Sequence, residues 1–546
     1  MAEGRYDAIV VGAGFAGLYA LHRLRELGLS VRVLEAGGGV GGTWYWNRYP
    51  GARCDIESVD YSYSFSEELE QEWTWSERYP AQPELQRYLD HVADRFDLRR
   101  DIQLDTRVTD ARFDEAAGRW SIGTEDGDRF DATYCVMATG MLSVLKRPDL
   151  PGLDRFEGDW VHTARWPAEG VPLAGRRVGI VGTGSTGIQA ATAIAGQAGH
   201  LHVFQRTPNF SLPARNRPLT AAEERGIKAA YAERRRQARA SFIGVPSSPG
   251  DQPAVDVDAA ERAQAFEARW EQGGLALMSA FTDLLTSREA NEHAAEFVRG
   301  KIGETVKDAA VAERLMPRGY AIGTKRLCVD TGYFDIFNRA DVTLVDVRRT
   351  PIEAVTPRGL RTAEAEYDLD VLVFATGFDA MTGALLDIDI RGRDDASLRA
   401  EWADGPRTYL GLAAAGFPNL FIVTGPGSPS VLSNMVLSIE QHVDWIADCI
   451  AHLGERGLGC IEATPEAQDA WVATVAEVAG YTLHGAADSW YNGANIPGKP
   501  RVYMPFIGGV AEYRRICDGV AAAGYEGFAL TAPPEPAPAL ASTTRR

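Results

Sequence analysis

Two short glycine-rich strings are the first places where this sequence shows chemistry: Gly12-Ala13-Gly14-Phe15-Ala16-Gly17 and Gly182-Thr183-Gly184-Ser185-Thr186-Gly187. Glycines at that spacing permit a tight turn and let backbone N–H groups approach a pyrophosphate, and a helix starting there adds a favourable dipole. The string alone is common, so its context matters. Each copy lies between an apolar strand-like segment and a helical one, and in the second copy Ile188 and Gln189 carry the turn into its helix. The residue ending the next strand separates the two ligands. After the first turn it is Glu35, eighteen residues beyond Gly17, whose carboxylate would accept ribose hydroxyls and repel a 2′-phosphate. After the second it is Arg206, nineteen residues beyond Gly187 and followed by Thr207; a guanidinium there would pair with a 2′-phosphate. The first site suits FAD or NAD, the second NADPH.

The elements that must hold these turns can be read from periodicity. Tyr6–Val11 is an apolar strand, Leu18–Leu27 has helical spacing and Ser30–Leu34 is the next strand. Arg177–Val181, Ile188–Ala198 and His200–Phe204 repeat the pattern. Tyr134–Met137 running into Ala138-Thr139-Gly140 has a counterpart in Val371–Phe374 running into Ala375-Thr376-Gly377. The expected fold class is therefore α/β, with two Rossmann-like dinucleotide-binding domains, the second inserted into the first, and a helical insertion. The expected boundaries are 1–145 and 379–532 for the first domain, 146–218 and 314–378 for the second, 219–313 for the helical insertion, and 533–546 for a disordered Pro- and Ala-rich tail. The insertion opens with the capping-box pattern Thr220 to Glu223. The run Arg234-Arg235-Arg236 within it reads as a solvated helix face.

The chain has 546 residues, 45% of them hydrophobic, enough for more than one core. Its formal charge of -19 disfavours nucleic acid and anionic membranes as partners. No apolar run reaches the ~20 residues of a membrane helix, and no signal peptide is recognisable, so cytoplasm is the default location. Cys54, Cys135, Cys328, Cys449, Cys460 and Cys517 form no CxxC, which excludes a CxxC redox pair and a zinc ribbon, and the nine histidines show no metal spacing. Two dinucleotide sites without a redox dithiol point to hydride transfer from NADPH to flavin, with oxygen as the onward acceptor.

The segment Phe156-Glu157-Gly158-Asp159-Trp160-Val161-His162-Thr163-Ala164-Arg165-Trp166-Pro167 fits FxGxxxHxxxWP and resembles the fingerprint of type I Baeyer–Villiger monooxygenases. A second signature runs through Gly42-Thr43-Trp44, Tyr49-Pro50-Gly51 and Asp55. Thr324-Lys325-Arg326, Ala375–Asp379, Gly425–Ser430 and Trp490–Asn495 also look like motifs of this family, and the resemblance covers nearly the whole chain. Trp166 favours this branch over the N- and S-oxygenating flavin monooxygenases, which usually carry Tyr or Phe there. The resemblance implies that NADPH reduces FAD, that O₂ is captured as a flavin C4a-peroxide, and that a ketone (aromatic, cyclic or steroid) becomes an ester or lactone, without an obligate protein partner. It also implies residue roles. Arg326 would be the active-site arginine and Asp55 the carboxylate that holds it. Lys325 would join Arg206 at the 2′-phosphate. Thr43, Trp44, Tyr45, Trp46, Tyr61, Val108 and Met435 would contact FAD. Arg53 and Cys54 would lie on the nicotinamide side, and Trp490 on a loop closing over NADP. His162 lies in the connection between domains, where a hinge or hydrogen-bonding role is favoured over acid–base catalysis. The competing readings are an N- or S-oxygenating enzyme, an NADPH oxidase releasing hydrogen peroxide, and a redox-sensing binding module.

Overall fold

In the computed structural model of the chain, residues 3–533 are described; the expected tail lies, from 534 onward, outside them. Strand β1 (Glu3–Val11) ends in Ala8-Ile9-Val10-Val11, buried on both faces as a central parallel strand requires. It pairs in parallel with β2 (Val31–Leu34) on one side and with β6 (Arg129–Met137) on the other. Beyond β2 lies β3 (Ile102–Gln103). Beyond β6, β5 (Arg119–Thr124) and β4 (Val108–Asp114) run antiparallel. Two strands from far along the chain complete this sheet: Asp389–Arg391 pairs with β4 and Leu420–Ile422 with β6. The first sheet is thus built from both ends of the chain.

The second sheet takes its strands from the middle. Here β8 (Arg177–Val181) lies between β9 (His200–Gln205) and the Val371–Phe374 strand, all parallel. Val342–Asp346 flanks β9, and β7 (Asp159–His162) flanks Val371–Phe374. The fingerprint segment therefore supplies an edge strand to this sheet, and His162 is that strand's last residue.

Both helices after the glycine turns begin earlier than periodicity predicts, at Phe15 and at Ser185. Gly14 and Gly184 are their N-caps, so the second half of each glycine string is already the first helical turn. Apolar spacing marks only where a helix becomes buried, whereas its first turn carries the N–H groups that have no intrahelical acceptor.

The insertion contains helices Ala221–Arg239, Ala259–Gln272, Arg288–Thr305 and Ala309–Leu315. The first opens with the expected capping box: Thr220 Oγ1 accepts from the Glu223 N–H, and the Glu223 carboxylate accepts from the Thr220 N–H at 2.9 Å. The arginine run on this helix departs from expectation. Only Arg236 is solvated, paired with Glu233 on its own helix. Arg234 grips buried Asp60 through two bonds of 2.6 and 2.5 Å, and Arg235, 6% exposed, donates to Glu70 at 2.7 Å and Ser62 at 2.8 Å. The run is mainly a clamp between the insertion and the first domain. Local charge patterning does not reveal acceptors 165 to 174 residues away in sequence.

Candidate active site

The two glycine turns are built alike. Gly12 (φ 103°) and Gly182 (φ 113°) both have a positive φ, which L side chains rarely adopt. A Cβ on Gly12 would sit 2.6 Å from the Ala138 carbonyl oxygen, and one on Gly182 would sit 2.4 Å from that of Ala375. The matching Ala-Thr-Gly strings therefore back the first glycine of each turn. Gly17 and Gly187 serve packing: a Cβ there would lie 1.7 and 2.1 Å from the carbonyl oxygens of Gly12 and Gly182. Gly184 faces open space, with nothing within 4 Å of its would-be Cβ. A Cβ on Gly42 would meet the Gly14 Cα at 2.8 Å, so the first turn and the Gly41-Gly42 loop can approach only as bare backbone. This cradle fits a pyrophosphate.

A long cleft starts at the first turn. Gly12, Gly14, Phe15, Glu35, Thr43, Trp44, Trp46, Tyr61, Val108 and Met435, ten of the expected FAD contacts, line it. Phe15, Tyr61 and Trp44 form an aromatic wall, with centroid separations of 5.2 and 5.9 Å. Glu35 accepts from the N–H groups of Ala13 and Gly37, both at 2.7 Å, and burial raises its pKa against the lowering effect of those bonds. Tyr45 does not join the wall; its ring covers Gly37 to Gly39, and Arg48 lies over it at 4.2 Å. Arg107 and Arg165 also line the cleft, and sequence reasoning named neither for it. Arg165 stacks over Trp46 at 4.1 Å, and its pKa is lowered by burial and by Arg107.

The second turn is tied to the loops around it. Thr183 Oγ1 donates to the Thr207 carbonyl at 2.9 Å, and Ser185 Oγ lies 3.4 Å from Cys328 Sγ. Gln189 accepts from Tyr49 Oη at 2.8 Å and donates to the Arg53 carbonyl at 3.0 Å. The Tyr49–Asp55 signature thus docks on the helix of the second turn. Arg53 itself points away to Glu77, and Cys54 is buried, which raises its pKa. Arg206 is exposed at the end of β9. Lys325 lies 4.6 Å above the Tyr320 ring, whose hydroxyl donates to the Pro208 carbonyl two residues beyond Arg206.

Arg326 lies where the pieces converge. Its Nη2 donates to Asp55 Oδ1 and Oδ2 at 2.7 and 2.6 Å, and its Nε to Oδ2 at 3.1 Å. Nη1 donates at 2.7 Å to the carbonyl of Val431, a residue lining the long cleft. Burial pulls the guanidinium pKa down, but the charge and hydrogen bonds of Asp55 outweigh it, and the net shift is upward. Burial pushes the Tyr491 phenol up to about 12, against the lowering effect of the Arg326 charge. Trp490, beside Tyr491 with ring centroids 4.4 Å apart, packs in the cluster around Met141 and Met504 rather than in the cleft. A permanent cation is thus fixed beside the long cleft.

Among the described residues, no group of His, Cys, Asp and Glu is arranged to hold a metal, and no helix is long and apolar enough to cross a membrane. All six cysteines are buried and free. Trp166 is buried in the core of the second sheet, in one cluster with Val178 and Leu173, and does not line the cleft.

Two nucleotide cradles joined at a fixed arginine define an oxidoreductase with paired dinucleotide domains. The family model for pyridine nucleotide-disulphide oxidoreductases matches residues 9–234. A Baeyer–Villiger monooxygenase of Pseudooceanicola batsensis is 44% identical over 524 residues, 95% of this chain and 95% of that one. Phenazine N-monooxygenase PhzNO1 of Lysobacter antibioticus is 43% identical over 533 residues, 97% of this chain and 98% of that one. Among solved structures, oxidized steroid monooxygenase bound to NADP superposes with a TM-score of 0.93 at 55% identity, covering 96% of this chain and 99% of that one. The chain belongs to the Baeyer–Villiger monooxygenase family.

Proposed function

We propose that this protein is an NADPH- and O₂-dependent Baeyer–Villiger monooxygenase that converts ketones to esters or lactones. The observation that carries this reading is the Asp55–Arg326 pair beside the cleft. FAD in the long cleft, reduced by NADPH at the second turn, would supply the activated oxygen inserted beside the substrate carbonyl. The chain's own residues do the rest. The first glycine turn and Glu35 would hold the adenosine half of FAD, and the Phe15–Tyr61–Trp44 wall would flank the cofactor. Arg326 places a charge that cannot be lost by deprotonation where negative charge develops on oxygen. Asp55 holds the guanidinium plane through its fork-like contact. The helix of the second turn, through Gln189 and Tyr49, holds the Tyr49–Asp55 loop and would so help position the two cofactors relative to each other. Cytoplasmic location, ketone and O₂ as the reacting partners, and independence from an obligate protein partner belong to the same proposal, which the acidic charge and scattered thiols favour.

N-oxygenation is the second reading, favoured by the phenazine-oxidising relative. A product assay separates the two. Protein with FAD, NADPH and O₂ would meet phenylacetone, cyclohexanone, progesterone, a thioether and a phenazine, followed by mass spectrometry. An ester or lactone is expected. An N-oxide or sulfoxide with every ketone untouched transfers the reading to heteroatom oxygenation. NADPH consumed with only hydrogen peroxide formed would favour the oxidase.

A further inference from the structure

The cations around the second turn number one more than the sequence motifs provide. Lys146 leaves the first domain on the strand-to-strand connection between β6 and β7. Its N–H donates to the Gly377 carbonyl at 2.9 Å, and its carbonyl accepts from Thr376 Oγ1 at 2.9 Å. Those bonds fix it at the carboxyl end of the Val371–Phe374 strand. Arg206 stands at the carboxyl end of β9, and the glycine turn follows β8, the strand between them. Lys146 and Arg206 therefore flank the glycine turn at the end of the sheet where dinucleotides bind, two strand spacings or roughly 10 Å apart. Lysine and arginine side chains can close that gap from both sides. Lys325 approaches the Arg206 loop through Tyr320.

Charge supports the same grouping. Among the described residues, none of these three cations forms an ion pair with a carboxylate, in a chain of net charge -19 whose Arg234, Arg235 and Arg326 are each clamped by an acid. Burial lowers the pKa of Lys146 and the field of Arg206 lowers it further; Lys325 is likewise lowered by burial and by Arg206, with Asp488 opposing. Two lysines in the field of one arginine, none of the three in salt-bridge contact with a carboxylate among the described residues, form a site suited to a multiply charged anion. The Lys146 ammonium also donates to the Asn495 carbonyl at 2.8 Å, so its position is fixed before any ligand arrives.

We infer that Lys146 is a third cation for the 2′-phosphate of NADPH, acting with Arg206 and Lys325 as a specificity determinant. This rests on the NADPH reading of the second turn and adds to it a residue that lies outside the glycine motif and the Thr324-Lys325-Arg326 string.

The test is direct binding by the FAD-loaded protein, measured calorimetrically with 2′,5′-ADP and with 5′-AMP. Wild type should bind 2′,5′-ADP the more tightly; equal affinities would remove the NADPH reading itself, whatever Lys146 does. Arg206→Gln serves as the reference for a lost 2′-phosphate contact. Lys146→Gln should weaken 2′,5′-ADP by about tenfold, the loss of one charge-assisted contact, while 5′-AMP binding changes less than about twofold. Lys146→Arg should recover most of the loss. If Lys146→Gln weakens both nucleotides equally, the lysine serves the 5′-phosphate and the inference fails. If it weakens neither, with Arg206→Gln still selective, the inference also fails. Lys146→Met replaces the Gln variant should the latter lose FAD.

Discussion

The Nε2 atom of His162 lies 3.1 Å from Thr376 Oγ1, and that hydroxyl donates at 2.9 Å to the carbonyl of Lys146. His162 Nδ1 accepts from the Ala164 N–H at 3.1 Å, so the proton of the neutral ring resides on Nε2 and points at Thr376. One chain of hydrogen bonds therefore ties the fingerprint histidine to both connections between the domains. Burial, aided by Arg165, lowers the pKa of His162 to about 4. Between pH 6 and 8 the ring stays neutral, which suits a fixed strut better than a proton shuttle.

His162→Ala should keep FAD and native-like melting but slow flavin reduction by NADPH, because the second domain loses its registration on the first. Stopped-flow reduction checks this, and His162→Gln, which retains a donor, should recover part of the rate. A pH-rate inflection between 6 and 8 that disappears in the Gln variant would show acid–base work by this residue and defeat the strut reading.

Arg326→Ala separates reduction from oxygen insertion. The guanidinium is bound to Asp55 and the Val431 carbonyl and touches neither glycine turn, so anaerobic flavin reduction should persist. Ester or lactone yield should fall about a hundredfold or more, the scale seen when one stabilising donor is removed from a developing oxyanion. The two electrons taken from each NADPH would then pass to O₂ and appear as hydrogen peroxide, leaving NADP⁺. Asp55→Asn should show a milder version of the same split. Unimpaired ester formation in Arg326→Ala would remove the role assigned to it.

The glycine turns and Glu35 were legible because their work is local, a turn and a strand end, whereas the cleft-lining Trp44, Tyr61 and Met435 came from resemblance alone. Arg326 and Asp55 were legible as members of separate motifs, but their bidentate contact spans 271 residues and had to be supplied by resemblance. Tyr45 lies outside the cleft lining because adjacent residues on one short helix face different ways, and only backbone geometry tells which side holds the cleft. Arg107 and Arg165 carry no spacing signal; each enters the cleft by the path of its loop. Lys146 was passed over for the same reason, standing in a connection whose composition resembles any other.

The arginine clamp gives a stability prediction with a built-in comparison. Arg235 and Glu70 are 7% and 9% exposed at the side chain, and Arg235 also donates to the Tyr63 carbonyl. Replacing Arg235 with Ala leaves Glu70 buried without its cation, at a cost of about 3 kcal/mol. Arg236→Ala, removing a solvated pair one residue away, should leave stability nearly unchanged. Denaturant unfolding of the two variants checks the contrast. Comparable losses would mean that the insertion is not held by the buried pair.

His442 yields a prediction about acid. It is fully buried, its Nδ1 accepts from the Thr424 N–H at 2.8 Å, and Thr424 lines the cleft. Burial lowers its pKa to about 3. An unfolded chain would protonate this ring near the ordinary value of about 6.5, so between those limits the unfolded state binds more protons than the native one. The stability contributed by the neutral ring is complete above about pH 6.5 and declines as pH falls toward 3, by up to about 1.4 kcal/mol per pH unit. Neighbouring buried carboxyls such as Glu440, whose pKa burial raises, act in the opposite sense, so total stability does not isolate the effect. The difference between wild type and His442→Asn does: Asn can accept the Thr424 N–H but does not titrate. The advantage of wild type over the variant should shrink by roughly 2 to 3 kcal/mol between pH 6.5 and 4.5. A pH-independent difference would mean that the ring carries its charge in the folded protein, and that the Thr424 contact is made some other way.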